Sequence, residues 1–114
     1  MASPATYNLV VPQSTTFVFQ FQILEDGTPW NLTNYGVTMT VRPFPGATST
    51  TLVATKANGK ITVDGPNGRI TVTLSAVDTS MRAEPYAYDI VLNSGSVITR
   101  ILEGQFIVTA GVTV

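Results

Sequence analysis

The chain has 114 residues, a net charge of −1 and neither Cys nor His, which fits one domain over 1–114 with a core of its own. Without Cys there are no disulfides or thiolate metal sites. Without His there is no His-based acid–base chemistry, no Ser–His–Asp triad and none of the usual zinc or non-haem iron centres. Only 11% of residues are charged, against roughly 25% in an average globular domain, and the basic residues Arg42, Lys56, Lys60, Arg69, Arg82 and Arg100 are scattered, so no nucleic-acid partner is expected.

Met1 to Leu24 carries no charged side chain. Met1-Ala-Ser-Pro4 lacks the basic start of a signal peptide, so synthesis without export is expected. Gln13, Ser14, Gln20 and Gln22 interrupt the apolar region before it reaches the ~18 residues of a membrane helix, so no membrane partner is expected. The first predicted strand is Tyr7–Val11. The second, Thr15–Leu24, alternates: Phe17, Phe19, Phe21 and Ile23 share one face, and Val18, Gln20, Gln22 and Leu24 the other. Period two marks a strand. Its aromatic face calls for a core, and its neutral second face is unusual for one meant to meet water.

Further strands follow at Val37–Phe44, Thr51–Lys56, Lys60–Val63, Arg69–Leu74, Tyr86–Asn93, Val97–Leu102 and Gln105–Val112. The last two read equally as one long strand with a bulge at Gly104. Eighteen Thr and fourteen Val supply β-branched side chains throughout, which favours strands. Turns recur at Asp26-Gly27, Pro45-Gly46, Asn58-Gly59, Asp64-Gly65, Asn67-Gly68 and Ser94-Gly95. Ser75–Arg82 (SAVDTSMR) lacks the period of two. Ser75 with Asp78 three residues on resembles a capping box, so one short helical turn is expected there. Together these features predict an all-β, immunoglobulin-like antiparallel β-sandwich. Alternation also places Val37, Met39, Val41, Ile70, Val72, Leu74, Tyr86, Tyr88, Ile90 and Leu92 inside. Trp30 and Leu32 are expected to plug one end, with the indole N–H reaching a backbone carbonyl.

Each chemical motif has a plainer structural reading. Glu25-Asp26 near Asn31, and Asp64-Gly-Pro-Asn67-Gly, read as turns, because a calcium loop wants more carboxylates at alternating positions. Asn31-Leu32-Thr33 matches a glycosylation acceptor but follows no export signal. Glu84, Asp89 and Glu103 are the residue types of a glycosidase carboxylate pair, yet nothing in the sequence places them in a cleft, so no enzyme and no cofactor is expected. Arg100 and Glu103 lie on opposite faces of a regular strand, reading as solvated charges or as partners of a neighbouring strand or chain. Tyr86 and Tyr88 follow the crossing turn, where a Tyr hydroxyl commonly bonds back to the chain in sandwiches of this kind.

The termini stand out. "TYNLVVP" and "GQFIVTAGVTV" are uncharged and β-prone, and such edges pair with other chains unless protected. Two readings stand: the terminal strands are covered by other subunits, or they cover each other. The expected protein-contact residues are Tyr7, Leu9, Val11, Phe106, Val108 and Val112, then Gln20 and Gln22.

Four segments in order resemble a known group. Gly27-Thr-Pro29-Trp-Asn31-Leu32-Thr33-Asn34-Tyr35 resembles a "G-x-P-x-D-L-T-G-Y" segment, departing from it at Asn31 and Asn34. Gly68 to Thr79 resembles "G-x-[IFV]-x-[VL]-x-L-[ST]-x-x-x-T", Tyr86–Leu92 resembles "Y-x-Y-D-[IL]-x-[LV]", and Arg100–Val108 resembles "R-x-x-x-G-x-[VF]-x-[VI]". The pattern is similar to that of small structural proteins of tailed bacteriophages, related to the immunoglobulin-like N-terminal modules of baseplate upper and fibre-anchoring proteins. The resemblance implies a non-enzymatic virion protein, made in the host cytoplasm and assembled in several copies. Its implied partners are other copies of itself and other virion proteins of the tail, baseplate or fibre attachment region. Capsid decoration is a second reading, since fibre-anchoring relatives continue into a further domain. A carbohydrate-binding module is a third, with Trp30, Tyr35 and Phe44 as candidate sugar platforms.

Overall fold

A computed structural model describes residues 5–25 and 27–110. Its strands are β1 (Ala5–Thr6), β2 (Leu9–Pro12), β3 (Phe17–Gln22), β4 (Leu24–Glu25), β5 (Thr28–Pro29), β6 (Gly36–Arg42), β7 (Leu52–Thr55), β8 (Ile61–Asp64), β9 (Arg69–Leu74), β10 (Pro85–Asn93) and β11 (Ile98–Thr109). One sheet runs β1-β11-β10-β6-β7, with β2 also on β11; the other runs β3-β9-β8, and β4-β5 form a small hairpin. Two sheets with this order make an immunoglobulin-like sandwich, β7 extending the sheet of β6, β10 and β11. No helix among the described residues is long and apolar enough to cross a membrane.

The alternation in the sequence becomes the core. Val37, Met39 and Val41 of β6, Ile70, Val72 and Leu74 of β9, and Tyr86, Tyr88, Ile90 and Leu92 of β10 are all buried in one apolar cluster, with Leu9, Val11, Phe106 and Val108. β9 has the bounds expected of it. The two expected C-terminal strands are one, and its bulge is not at Gly104. Ile90 faces Leu102 while Val91 faces Arg100, so Ile101 is the extra residue, and Ile101 and Leu102 both turn inward.

Gly104 has a different task. The expected strand Tyr7–Val11 is broken in two: Ala5 and Thr6 lie parallel to Leu102 and Glu103, and Leu9–Pro12 parallel to Phe106–Thr109. Between them Tyr7 and Asn8 cross directly over Gly104, where a Cβ would meet the Tyr7 carbonyl oxygen. The crossing is held by Tyr7 N–H donating to the Glu103 carbonyl at 2.9 Å, Tyr88 Oη–H to the Tyr7 carbonyl at 2.6 Å and Gln105 N–H to Asn8 Oδ1 at 3.0 Å. Burial pushes the Tyr88 phenol well above its ordinary pKa, with nearby Tyr7 adding to the effect, so Tyr88 keeps the proton it donates.

Ser75 and Asp78 bond reciprocally as their spacing predicts: Asp78 N–H donates to Ser75 Oγ at 3.1 Å and Ser75 N–H to Asp78 Oδ2 at 3.0 Å. The segment makes hydrogen-bonded turns but builds no regular helix. The one short helix among the described residues is a 3₁₀ turn at Gly65–Asn67, in the stretch expected to be a plain turn. Thr79, fully buried, donates to the Thr15 carbonyl at 2.7 Å and accepts from Thr15 N–H at 3.0 Å, which pins this crossing to the start of β3. Tyr86 Oη–H donates to the Arg82 carbonyl at 2.8 Å, the back-bond expected of a Tyr at this corner.

Lys60 Nζ meets Asp78 Oδ2 at 2.7 Å, both side chains largely covered. Burial alone would raise the Asp78 carboxyl, but the bonds from Lys60 and Ser75 outweigh it and hold the group below the usual Asp value. A lowered folded-state pKa means stability that is present above the unfolded value and lost as pH falls through the folded one. The Asp78→Asn variant should therefore be less stable at pH 7, by about 1–2 kcal/mol, and should lose less than the parent between pH 7 and pH 3. Thermal melts of both proteins at the two pH values check this.

Candidate functional site

The expected contact residues separate into three groups. Leu9, Val11, Phe106 and Val108 are core residues, each 3% exposed or less. Phe106 faces Leu9 and Val108 faces Val11 across the parallel pair. This corrects the expectation that their side chains form a docking surface: they are consumed by the fold. Of the two readings of the termini, the structure realises the one in which the first and last strands cover each other. Alternation could not reveal this, because a buried edge strand and a sticky one look alike in sequence. Val112 lies outside the described residues.

Tyr7, Gln20 and Gln22 do reach the surface. Tyr7 is 55% exposed, and its ring stacks on Phe19 at 5.9 Å with an interplanar angle of 12°. Phe19 in turn stacks on Phe21 at 5.2 Å. The aromatic face of β3 is thus only half-buried. β3 is the edge of its sheet, pairing with β9 alone among the described residues, so the opposite layer does not fully roof it. On its outer face Val18 is exposed. Gln20 Nε2 donates to Thr71 Oγ1 at 3.0 Å and Gln22 Nε2 to the Asn67 carbonyl at 2.8 Å. This face is neutral and amide-rich.

A second surface, which sequence reasoning did not anticipate, lies on the outside of the larger sheet. A shallow groove of about 1020 Å³ is lined by Thr40, Arg42, Phe44, Ala87, Asp89 and Gln105, among others. Its charged end is built by the Ile101 bulge. The extra residue brings Arg100 and Glu103 to one face, where Arg100 Nε meets Asp89 Oδ2 at 3.1 Å and Nη1 meets Glu103 Oε1 at 3.9 Å. Asp89 and Glu103 are direct cross-strand neighbours, and the guanidinium between them offsets their mutual repulsion. Arg100 and Glu103 therefore pair within the chain rather than standing as isolated solvated charges.

The remaining candidates fall back to structure. Asp64 Oδ2 accepts from Asn67 Nδ2 at 2.9 Å, which ties the 3₁₀ turn. Asp26 lies outside the described residues. No group of three or more Asp or Glu among the described residues is placed to hold a metal ion. Trp30 packs edge-on against Tyr35 at 5.7 Å and half-buried on the core, while its indole N–H finds none of the carbonyl partners expected of it among the described residues. Of the three candidate sugar platforms only Phe44, 61% exposed, stands clear.

No family model matches the chain, and no curated protein matches it. Among solved structures, the chain is similar to the N-terminal domain of phage TP901-1 ORF48, with a TM-score of 0.57 and 13% sequence identity, over 95% of this chain and 89% of that one. At that identity the likeness is one of fold.

Proposed function

We propose that this chain is a non-enzymatic structural protein of a tailed-phage particle, assembled in several copies at the tail, baseplate or fibre attachment region. The observation that carries the reading is the likeness of fold to a phage protein's N-terminal domain over 95% of the chain. The ordered motifs from Gly27 to Val108 point to the same group. The surface chemistry fits: neutral strand edges and an amide-rich face dock other subunits through main-chain bonds. Of the carboxylates weighed for a glycosidase pair, Asp89 and Glu103 are both engaged by Arg100.

The partners in this reading are other virion proteins and further copies of the chain. Quantitative mass spectrometry of purified particles of the phage that encodes the chain should find it in fixed ratio to the tail proteins, several copies per particle. A fixed ratio to the major capsid protein instead would assign it to capsid decoration. Absence from particles, with the protein left in the lysate, would refute both. Deleting 106–114 is not an informative alternative, since Phe106 and Val108 are core residues and the truncated chain would fail before any docking step.

A further inference from the structure

The ladder geometry of β3 shows which of its peptide groups are spent. Ile23 N–H donates to the Gly68 carbonyl at 2.8 Å, continuing a register in which Phe17, Phe19 and Phe21 face Leu74, Val72 and Ile70. Antiparallel ladders alternate, so these residues turn their N–H and C=O groups toward β9, and Val18, Gln20 and Gln22 turn theirs outward. Proteins guard such edges with charge, Pro, bulges or short strands. The other edges here have those guards: β1 is two residues and β7 and β8 are four each, with Lys56 just after β7, Lys60 just before β8 and Asp64 at its end, and β2 ends at Pro12. β3 has six residues, FVFQFQ, with no charge and no Pro.

We infer that β3 pairs antiparallel with β3 of a second copy across a two-fold axis at Gln20, joining two three-stranded sheets into one of six. The register is self-complementary. With Gln20 opposite the partner's Gln20, Val18 falls opposite the partner's Gln22, so every outward peptide group of the strand meets a matching one. Each of these pairs exchanges two main-chain bonds. No charge on either strand opposes another. On the inner face the same register sets Phe19 beside the partner's Phe21, extending the half-exposed row Tyr7–Phe19–Phe21 through the axis and covering it. A strand from a different, charged partner would find no counter-ion along this edge. The inference rests on the reading that copies of the chain assemble, naming the edge and register through which they pair, and its solution test is separate from the test of particle membership.

The chain has no Cys, so a single Gln20→Cys substitution reports the axis directly. The Cα separation of a hydrogen-bonded antiparallel pair, about 5.5 Å, lies within disulfide range. Under mild oxidation Gln20→Cys should form a covalent dimer at least tenfold faster than Val53→Cys on the edge strand β7. In sedimentation velocity the parent should be dimeric. Gln20→Lys, which sets two ammonium groups against each other at the axis, should raise the dimer dissociation constant at least tenfold while melting within a few degrees of the parent. A monomeric parent at 100 µM, together with equal crosslinking of the two Cys variants, would overturn the inference. So would a monomeric parent whose Gln20→Lys variant is lost from particles, since that assigns the edge to another protein.

Discussion

The Phe106→Ala substitution is expected to lower stability by about 4 kcal/mol, within the range for emptying a fully buried aromatic site. Phe106 is 0% exposed and sits on β11 between Leu9 of β2 and Tyr86 of β10, where one side chain joins the N-terminal strand to the sheet centre. β11 itself is held by ladders on both sides, to β2 and to β10, so it cannot shift to close the void. For a chain of this size the loss corresponds to a fall in Tm of roughly 15 °C. In urea the midpoint should fall while the slope stays unchanged. Phe44→Ala is the control: that ring is 61% exposed, and its removal should change stability by less than about 0.5 kcal/mol. Equal effects of the two substitutions would mean that the terminal strands are not part of the core.

Gly104→Ala should be the second costly change, and its signature is local. The new methyl would collide with the Tyr7 carbonyl oxygen, a backbone atom with no rotamer to yield. Tyr7 must lift off, and the bonds it makes to Glu103 and Tyr88 go with it. The Tyr88 hydroxyl is then left in a largely covered site with its acceptor gone. Strain and the lost bonds together amount to about 3 kcal/mol. Amide exchange separates this from a global effect. The Tyr7 N–H should lose protection in the variant, whereas amides of β9 should keep theirs. Uniform loss across both sheets would show that the crossing is not an independent element.

Much of this fold is legible in the residues because its signals are local. Period two in β6, β9 and β10 places their buried faces correctly. Ser75 with Asp78, and Tyr86 after the crossing turn, announce bonds that span three and four positions. What stays hidden depends on distant partners. The split of the first strand at Tyr7–Asn8 needs Gly104, almost the whole chain away, to leave room for it, and the bulge that a strand glycine suggests belongs instead to Ile101. β3 reads as a core strand by its Phe spacing, yet it is an edge, because no described strand lies beyond it. Edge status is a property of topology and leaves no mark on alternation. The contact residues follow the same rule: Gln20, Gln22 and Tyr7 reach the surface, while Leu9, Val11, Phe106 and Val108 go into the core. The groove beside Arg100 is invisible in sequence because it needs a bulge to gather its charges.

A sandwich that serves as a building block of a phage particle, as proposed above, must be found in that particle. Cryo-electron microscopy of intact particles of the phage that encodes it should show density in the tail, baseplate or fibre attachment region into which the two-sheet sandwich fits as a rigid body, with each copy contacting neighbours. A reconstruction with every tail and capsid density assigned to other chains, and none left for this one, would contradict the proposal.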